Sequence, residues 1–119
     1  MKRLFTGLAA LILVAGATGA TAAPKPDAAT DRTVSSGAVT GYIDAATGAH
    51  VWKSIPFAAP PVGDLRWRAP RAPASWTGQR VSVSEAPWCP QQLSALDGVK
   101  KSRWGEIVGQ EDCLYLNIF

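Results

Sequence analysis

Gln110-Glu111-Asp112-Cys113-Leu114-Tyr115-Leu116-Asn117-Ile118-Phe119 is the stretch on which the reading of this chain turns. A polar, acidic turn carrying a cysteine runs straight into a strand. Leu114, Leu116 and Ile118 share one face at period 2, and Tyr115, Asn117 and Phe119 share the other. Apolar side chains on both faces describe a strand buried on both sides, as in a sheet covered by helices. Such a strand needs neighbours, and none follows Phe119. The expectation is an α/β architecture of which this chain is the opening section.

Within that stretch, Glu111-Asp112-Cys113-Leu114-Tyr115-Leu116-Asn117 resembles the N-terminal signature of type-B carboxylesterases, the cholinesterase-like branch of the α/β-hydrolase superfamily. Seven consecutive residues that include a cysteine make a specific match. A second block is similar to the family's Gly-Ile-Pro-Tyr-Ala…Pro-Pro-Val-Gly-x-Leu-Arg-Phe run: Lys53-Ser54-Ile55-Pro56-Phe57-Ala58-Ala59, then Pro60-Pro61-Val62-Gly63-Asp64-Leu65-Arg66-Trp67. Trp76-Thr77-Gly78 and Cys89-Pro90-Gln91 follow in the family's order. The resemblance spans Val34 to Phe119, with Ser54 standing for the usual Gly and Phe57 for the commoner Tyr.

The fold so implied is α/β, the N-terminal fragment of an α/β-hydrolase. Its parts are a small antiparallel β-hairpin, a Pro-rich loop, a disulfide loop and the first strand of the central sheet. The implied activity is hydrolysis of a small-molecule carboxylic ester through a serine acyl-enzyme, without cofactor or metal. An ion pair between Arg66 and Glu111 is also implied, and a bidentate contact of this kind would pin the proline-rich loop. Two separately solvated charges are the alternative. If the pair is buried, loss of Arg66 alone costs roughly 3–5 kcal/mol.

Met1-Lys2-Arg3, the apolar run Leu4 to Ala17 and the small residues Ala20-Thr21-Ala22 read as a secretory signal peptide over residues 1–22. A membrane anchor is the weaker reading, since a span needs about 20 apolar residues and Thr6, Gly7, Gly16, Thr18 and Gly19 dilute this run. Cleavage after Ala22 would leave an exported chain, periplasmic or extracellular, with no stable membrane anchor. Loss of Lys2 and Arg3 lowers the formal charge from +3 to +1, which gives no electrostatic case for nucleic acid.

An even cysteine count in an exported chain invites one disulfide. The resemblance implies the pair Cys89–Cys113, bridging the base of a loop; two free, buried thiols are the alternative. A metal site is disfavoured, because His50 is the single histidine and two cysteines fall short of four ligands. Trp104 lies inside the presumed loop. In cholinesterases a tryptophan there faces a cationic substrate group by cation–π attraction. An aromatic plug for the loop's own interior is the competing reading, and the better supported one.

Residues 23–33 are Pro-, Ala- and Asp-rich without periodicity, which predicts a flexible lead-in ahead of a domain portion at 34–119. Val34 to Tyr42, a strand broken by Gly37 and Gly41, and Ala49 to Ile55 predict an antiparallel hairpin joined by the Asp44–Gly48 turn. Pro56 to Pro73 holds five prolines, so an extended ordered loop is expected, anchored by Trp67 and Trp76. Ser94 to Asp97 predicts a short helical turn stopped by Gly98, with Leu93 and Leu96 at i, i+3. Lys100, Lys101 and Arg103 form a basic cluster of the kind that usually faces solvent.

No Gly-x-Ser-x-Gly and no His-Gly-Gly run occurs in the 119 residues. The nucleophile elbow and oxyanion loop of the superfamily are therefore missing from this stretch, and it supplies no catalytic residue. His50, early and in a probable strand, is expected to be half exposed rather than catalytic. The rival reading is a small secreted non-catalytic binding module or remnant that uses its loop tryptophans.

Overall fold

The computed structural model describes residues 23–119, so the leader expected at residues 1–22 lies outside the described residues. Packing begins at Asp27. Its Oδ1 accepts the Ala29 amide at 2.9 Å and caps a single 3-10 turn, Ala28–Thr30. Thr30 is wholly buried. Its hydroxyl accepts the Gly41 amide at 2.8 Å, and its carbonyl accepts the Trp52 indole N–H at 2.8 Å. From Asp27 onward the expected flexible lead-in is thus a fixed part of the fold. The physical reason is that Asp27 caps the turn locally while Thr30 and Asp27 bond Trp52 and Gly41, distant in sequence.

Strand β1 (Arg32–Val34) turns at Ser35-Ser36 into β2 (Gly37–Thr40), which it pairs antiparallel with Val34 opposite Gly37. Strand β3 (Tyr42–Ile43) pairs antiparallel with β4 (His50–Pro56) across the Asp44–Gly48 turn, as the turn chemistry predicts. In that turn Asp44 Oδ1 accepts the Thr47 hydroxyl at 2.8 Å and the Thr47 amide at 2.9 Å. These bonds, to the charged form of the acid, hold its carboxyl below the ordinary value. The strand expected over Val34–Tyr42, broken by Gly37 and Gly41, divides between the end of β1, all of β2 and the start of β3, with breaks at Ser35-Ser36 and at Gly41. A Cβ there would stand 2.0 Å from the Val51 carbonyl oxygen, so only glycine lets the chain cross β4 so closely.

Strand β5 (Gln79–Val81) lies parallel to β2 on its other side, giving the order β1-β2-β5. Ser82 then ties the two sheets together: its amide donates to the Thr40 carbonyl at 2.7 Å, and its carbonyl accepts the Lys53 amide at 2.8 Å. Val39, Trp52 and Ile55 form the buried cluster between them, with Val34 and Trp76 packed against it. Burial of each large apolar side chain contributes about 1.5–3 kcal/mol.

Of the two tryptophans expected to anchor the proline-rich loop, Trp76 does so. Its indole N–H donates to the Ala38 carbonyl at 2.8 Å. Trp67 does not; it is 90% exposed. It follows the 3-10 turn Gly63–Leu65 with a left-handed backbone, φ +58°, and its ring lies beside Arg66, whose guanidinium carbon is 5.6 Å from the ring centroid.

Strands β6 (Gln91–Gln92) and β7 (Ile107–Val108) make a separate two-stranded ladder. Strand β8 (Tyr115–Ile118) pairs antiparallel with β4, so the second sheet has the order β3-β4-β8. Within the described residues β8 is not buried on both faces: Leu116, Ile118 and Phe119 are all exposed. β4 covers one edge of the strand, and the helical elements among the described residues are four short 3-10 turns, none of which can cover a sheet.

Candidate functional site

The loop between Cys89 and Cys113 is closed three times over. The two cysteines are joined, with Cα atoms 5.0 Å apart. The Gln110 amide donates to the Trp88 carbonyl at 2.9 Å, and the β6–β7 ladder pairs Gln91 with Val108 and Gln92 with Ile107. Gly109 makes this closure possible. Its φ is +94°, and an added Cβ would lie 2.3 Å from the Cys89 carbonyl oxygen.

Leu93, 2% exposed, is the one buried residue between Cys89 and Cys113. Its amide donates to the Glu106 carbonyl at 2.9 Å and its carbonyl accepts the Gly105 amide at 2.8 Å, which extends the ladder by one residue. The predicted turn follows at once as the 3-10 segment Ala95–Asp97. Ser94 and Asp97 form a reciprocal capping box, the Ser94 amide donating to Asp97 Oδ2 at 2.7 Å. A second turn, Lys101–Arg103, leads to Trp104. Trp104 is half exposed, with Lys101 Nζ 5.7 Å from its ring centroid. It is not the plug of the loop; Leu93 holds that place.

Arg66 and Glu111 meet as the resemblance implied, Nε to Oε1 at 2.5 Å. The contact joins the proline-rich loop to the residues just before the second cysteine. Beside it lies a concavity of about 250 Å³ lined by Pro61, Arg66, Trp67, Pro90, Glu111 and Cys113. Both side chains keep substantial exposure, 56% and 38%. The buried-pair cost is therefore not the one that applies here; an exposed pair is worth about 0–1 kcal/mol.

Behind this junction the two motif blocks run side by side. Ile55 opposes Leu116 and Pro56 opposes Tyr115, with a bulge in β4 between Trp52 and Ile55. Ser54 sits in that bulge with φ +56°, the left-handed region that favours glycine. Its hydroxyl donates to the Ser84 carbonyl at 2.7 Å, and its amide donates to Asn117 Oδ1 at 3.1 Å. Asn117 in turn donates to Glu85 Oε2 at 3.3 Å, and Glu85 also pairs with Lys53. That pairing raises the Lys53 ammonium above the ordinary lysine value. Burial, and then a 2.9 Å bond from its hydroxyl to Asp112 Oδ1, push the Tyr115 phenol up.

Reading the sequence missed Ser54, Asn117 and Glu85 as a linked set, and Leu93 as the buried residue of the disulfide loop. The available signal was Ser54, a serine where the resembled motif has glycine. His50 lies in β4, half buried, edge-on to Trp52 with ring centroids 6.1 Å apart. It touches neither the disulfide loop nor the Arg66–Glu111 pair.

Comparison with known proteins gives a consistent picture. The model of the carboxylesterase family matches residues 28–119. The chain is 38% identical over 103 residues to an acylcarnitine hydrolase of Rattus norvegicus, covering 80% of this chain and 18% of that protein. It is 42% identical over 72 residues to a phenmedipham hydrolase of Pseudarthrobacter oxydans, covering 60% and 15%. Among solved structures, a PNB esterase superposes with a TM-score of 0.60 at 36% identity, covering 74% of this chain and 17% of that one. The chain thus spans under a fifth of the length of each relative. With its two motif blocks paired across β4 and β8 and its cysteines joined, this chain belongs to the carboxylesterase family and corresponds to an N-terminal portion of its α/β-hydrolase fold.

Proposed function

We propose that this chain is the N-terminal section of an exported carboxylic ester hydrolase that works through a serine acyl-enzyme. The observation that carries the reading is the junction of the two family blocks. Arg66 bonds Glu111, and Ile55 and Pro56 lie opposite Leu116 and Tyr115, in a chain 38% identical to a named hydrolase. The 119 residues hold no Gly-x-Ser-x-Gly, so the serine, its base and the oxyanion donors are assigned to sequence outside them. The chain by itself is inactive. Its part is to brace the loop at Cys89–Cys113 and to start the sheet that would carry the nucleophile.

Trp104 is the residue here that bears on substrate. Lys101 beside its ring disfavours a cationic ester by like-charge repulsion, so neutral esters are the proposed substrates. Export rests on the leader of residues 1–22, with Ala23 as the first mature residue. The test is to express the continuous reading frame that contains this chain and assay it with neutral p-nitrophenyl esters and with choline esters. Turnover of the neutral esters that an organophosphate abolishes is expected. A full-length product that binds ester analogues but turns over none would instead favour a non-catalytic member of the fold.

A further inference from the structure

The chain enters the Cys89–Cys113 loop from one fixed point and leaves it at another. On the way in, the Ser84 carbonyl accepts the Ser54 hydroxyl at 2.7 Å, and Glu85 pairs with Lys53 and accepts from Asn117. On the way out, the Leu114 carbonyl accepts the Phe57 amide at 3.2 Å, and Tyr115 lies opposite Pro56. Both stems of the loop are thus held by residues 53–57, in and just after β4. Joining two stems that the fold already holds removes little further freedom from the native chain. The cross-link then acts chiefly on the unfolded one.

Between the stems the backbone closes on itself. At the neck the Gln110 amide donates to the Trp88 carbonyl, and further in Leu93 exchanges bonds with Gly105 and Glu106. The neck depends on Gly109, whose φ of +94° is strained for any residue with a side chain. A Cβ at this position would stand 2.6 Å from the Trp88 carbonyl oxygen, the same atom that receives the Gln110 bond. These contacts are internal to the chain, and whatever packs outside them leaves them in place. We propose that Gly109 is the positioning residue that sets the shape of this loop and that the disulfide is not, so the loop keeps its fold when Cys89 and Cys113 are thiols. The bearing of that shape on Trp104 and its substrate rests on the esterase reading; the shape itself does not.

The experiment uses the product of the continuous reading frame, with hydrogen exchange read at the Leu93, Gly105 and Gln110 amides. In the double variant Cys89→Ser, Cys113→Ser, exchange at all three should stay within about threefold of the parent, while the melting temperature falls. In Gly109→Ala, with the disulfide intact, the same amides should exchange about tenfold faster. The Phe57 amide, bonded outside the loop, should not change and reports that the body remains folded. Where the double variant refolds poorly, the parent reduced after folding replaces it. A water-soluble phosphine breaks the S–S bond, takes the oxygen of one water onto phosphorus and leaves that water's two protons on the thiols. Loop amides that lose protection when the disulfide is lost overturn the proposal, and so does a Gly109→Ala protein that keeps it. Failure of the esterase reading shows separately, as absent ester turnover in every form, and leaves these exchange rates as they are.

Discussion

Ser54 donates its amide to the side-chain oxygen of Asn117 across the β4–β8 bulge, 3.1 Å away. One residue comes from the proline-rich block, the other from the acidic-cysteine block, so the bond fixes the register in which the two motifs meet. The left-handed backbone of Ser54 would be easier for glycine. Its hydroxyl bond to Ser84 offsets the strain. Ser54→Gly is expected to leave stability within about 0.5 kcal/mol of the parent, strain relief and bond loss being of similar size. Ser54→Ala keeps the strain and loses the bond, and should cost about 1 kcal/mol. Urea unfolding decides it; alanine matching glycine would show that the hydroxyl contributes nothing.

Lys53 and Glu85 give the fold an alkaline dependence. The paired carboxylate favours the charged ammonium, so the folded pKa of Lys53 lies above its unfolded value. The stabilisation is complete below the ordinary lysine pKa and is lost as pH rises through the raised one. Melting temperatures scanned upward in pH should fall, and Glu85→Gln should flatten that part of the profile. Because Glu85 is largely exposed, the effect is small and weakens with salt.

Leu93, not Trp104, holds the disulfide loop together. Leu93→Ala opens a cavity inside the loop and should cost about 2–5 kcal/mol locally. Trp104→Ala, at a half-exposed site, should cost clearly less. Hydrogen exchange at the Gly105 and Glu106 amides reports the difference. Equal protection loss in the two variants would contradict the assignment.

Arg66→Ala should cost at most about 1 kcal/mol in this chain, because both partners of the Glu111 pair remain partly solvated. A chevron or urea curve for the two forms measures it. A loss of several kcal/mol would mean that the concavity beside Trp67 is closed in solution.

What could be read in advance, and what could not, divides along physical lines. Ser94, Asp97 and Gly98 announced their turn because capping is a local interaction between neighbours in sequence. The Asp44 turn and the hairpin it joins were legible for the same reason. Leu93 and Leu96 looked equivalent at i, i+3, yet one ends the ladder inside the loop and the other sits at the tip. That separation depends on the Gln92–Ile107 pairing, which is not local. Asp27 looked like part of a flexible tail because its capped turn gains its partners from Gly41 and Trp52, both distant in sequence. Residue type alone assigns Trp67 to packing, and the left-handed backbone at that position carries no mark in the sequence. The ion pair of Arg66 and Glu111 came from resemblance; its partial exposure is a property of the folded surface.

The most direct test of the central claim is to treat the full-length protein and this 119-residue chain, each oxidised, with a fluorophosphonate and map the adduct by mass. If this chain is the bracing N-terminal section of a serine ester hydrolase, the full-length protein acquires one adduct, on a serine outside these residues, and the short chain acquires none. A stoichiometric adduct on any serine between Ser35 and Ser102 would contradict the account, since it would place the nucleophile in a stretch described here as structural.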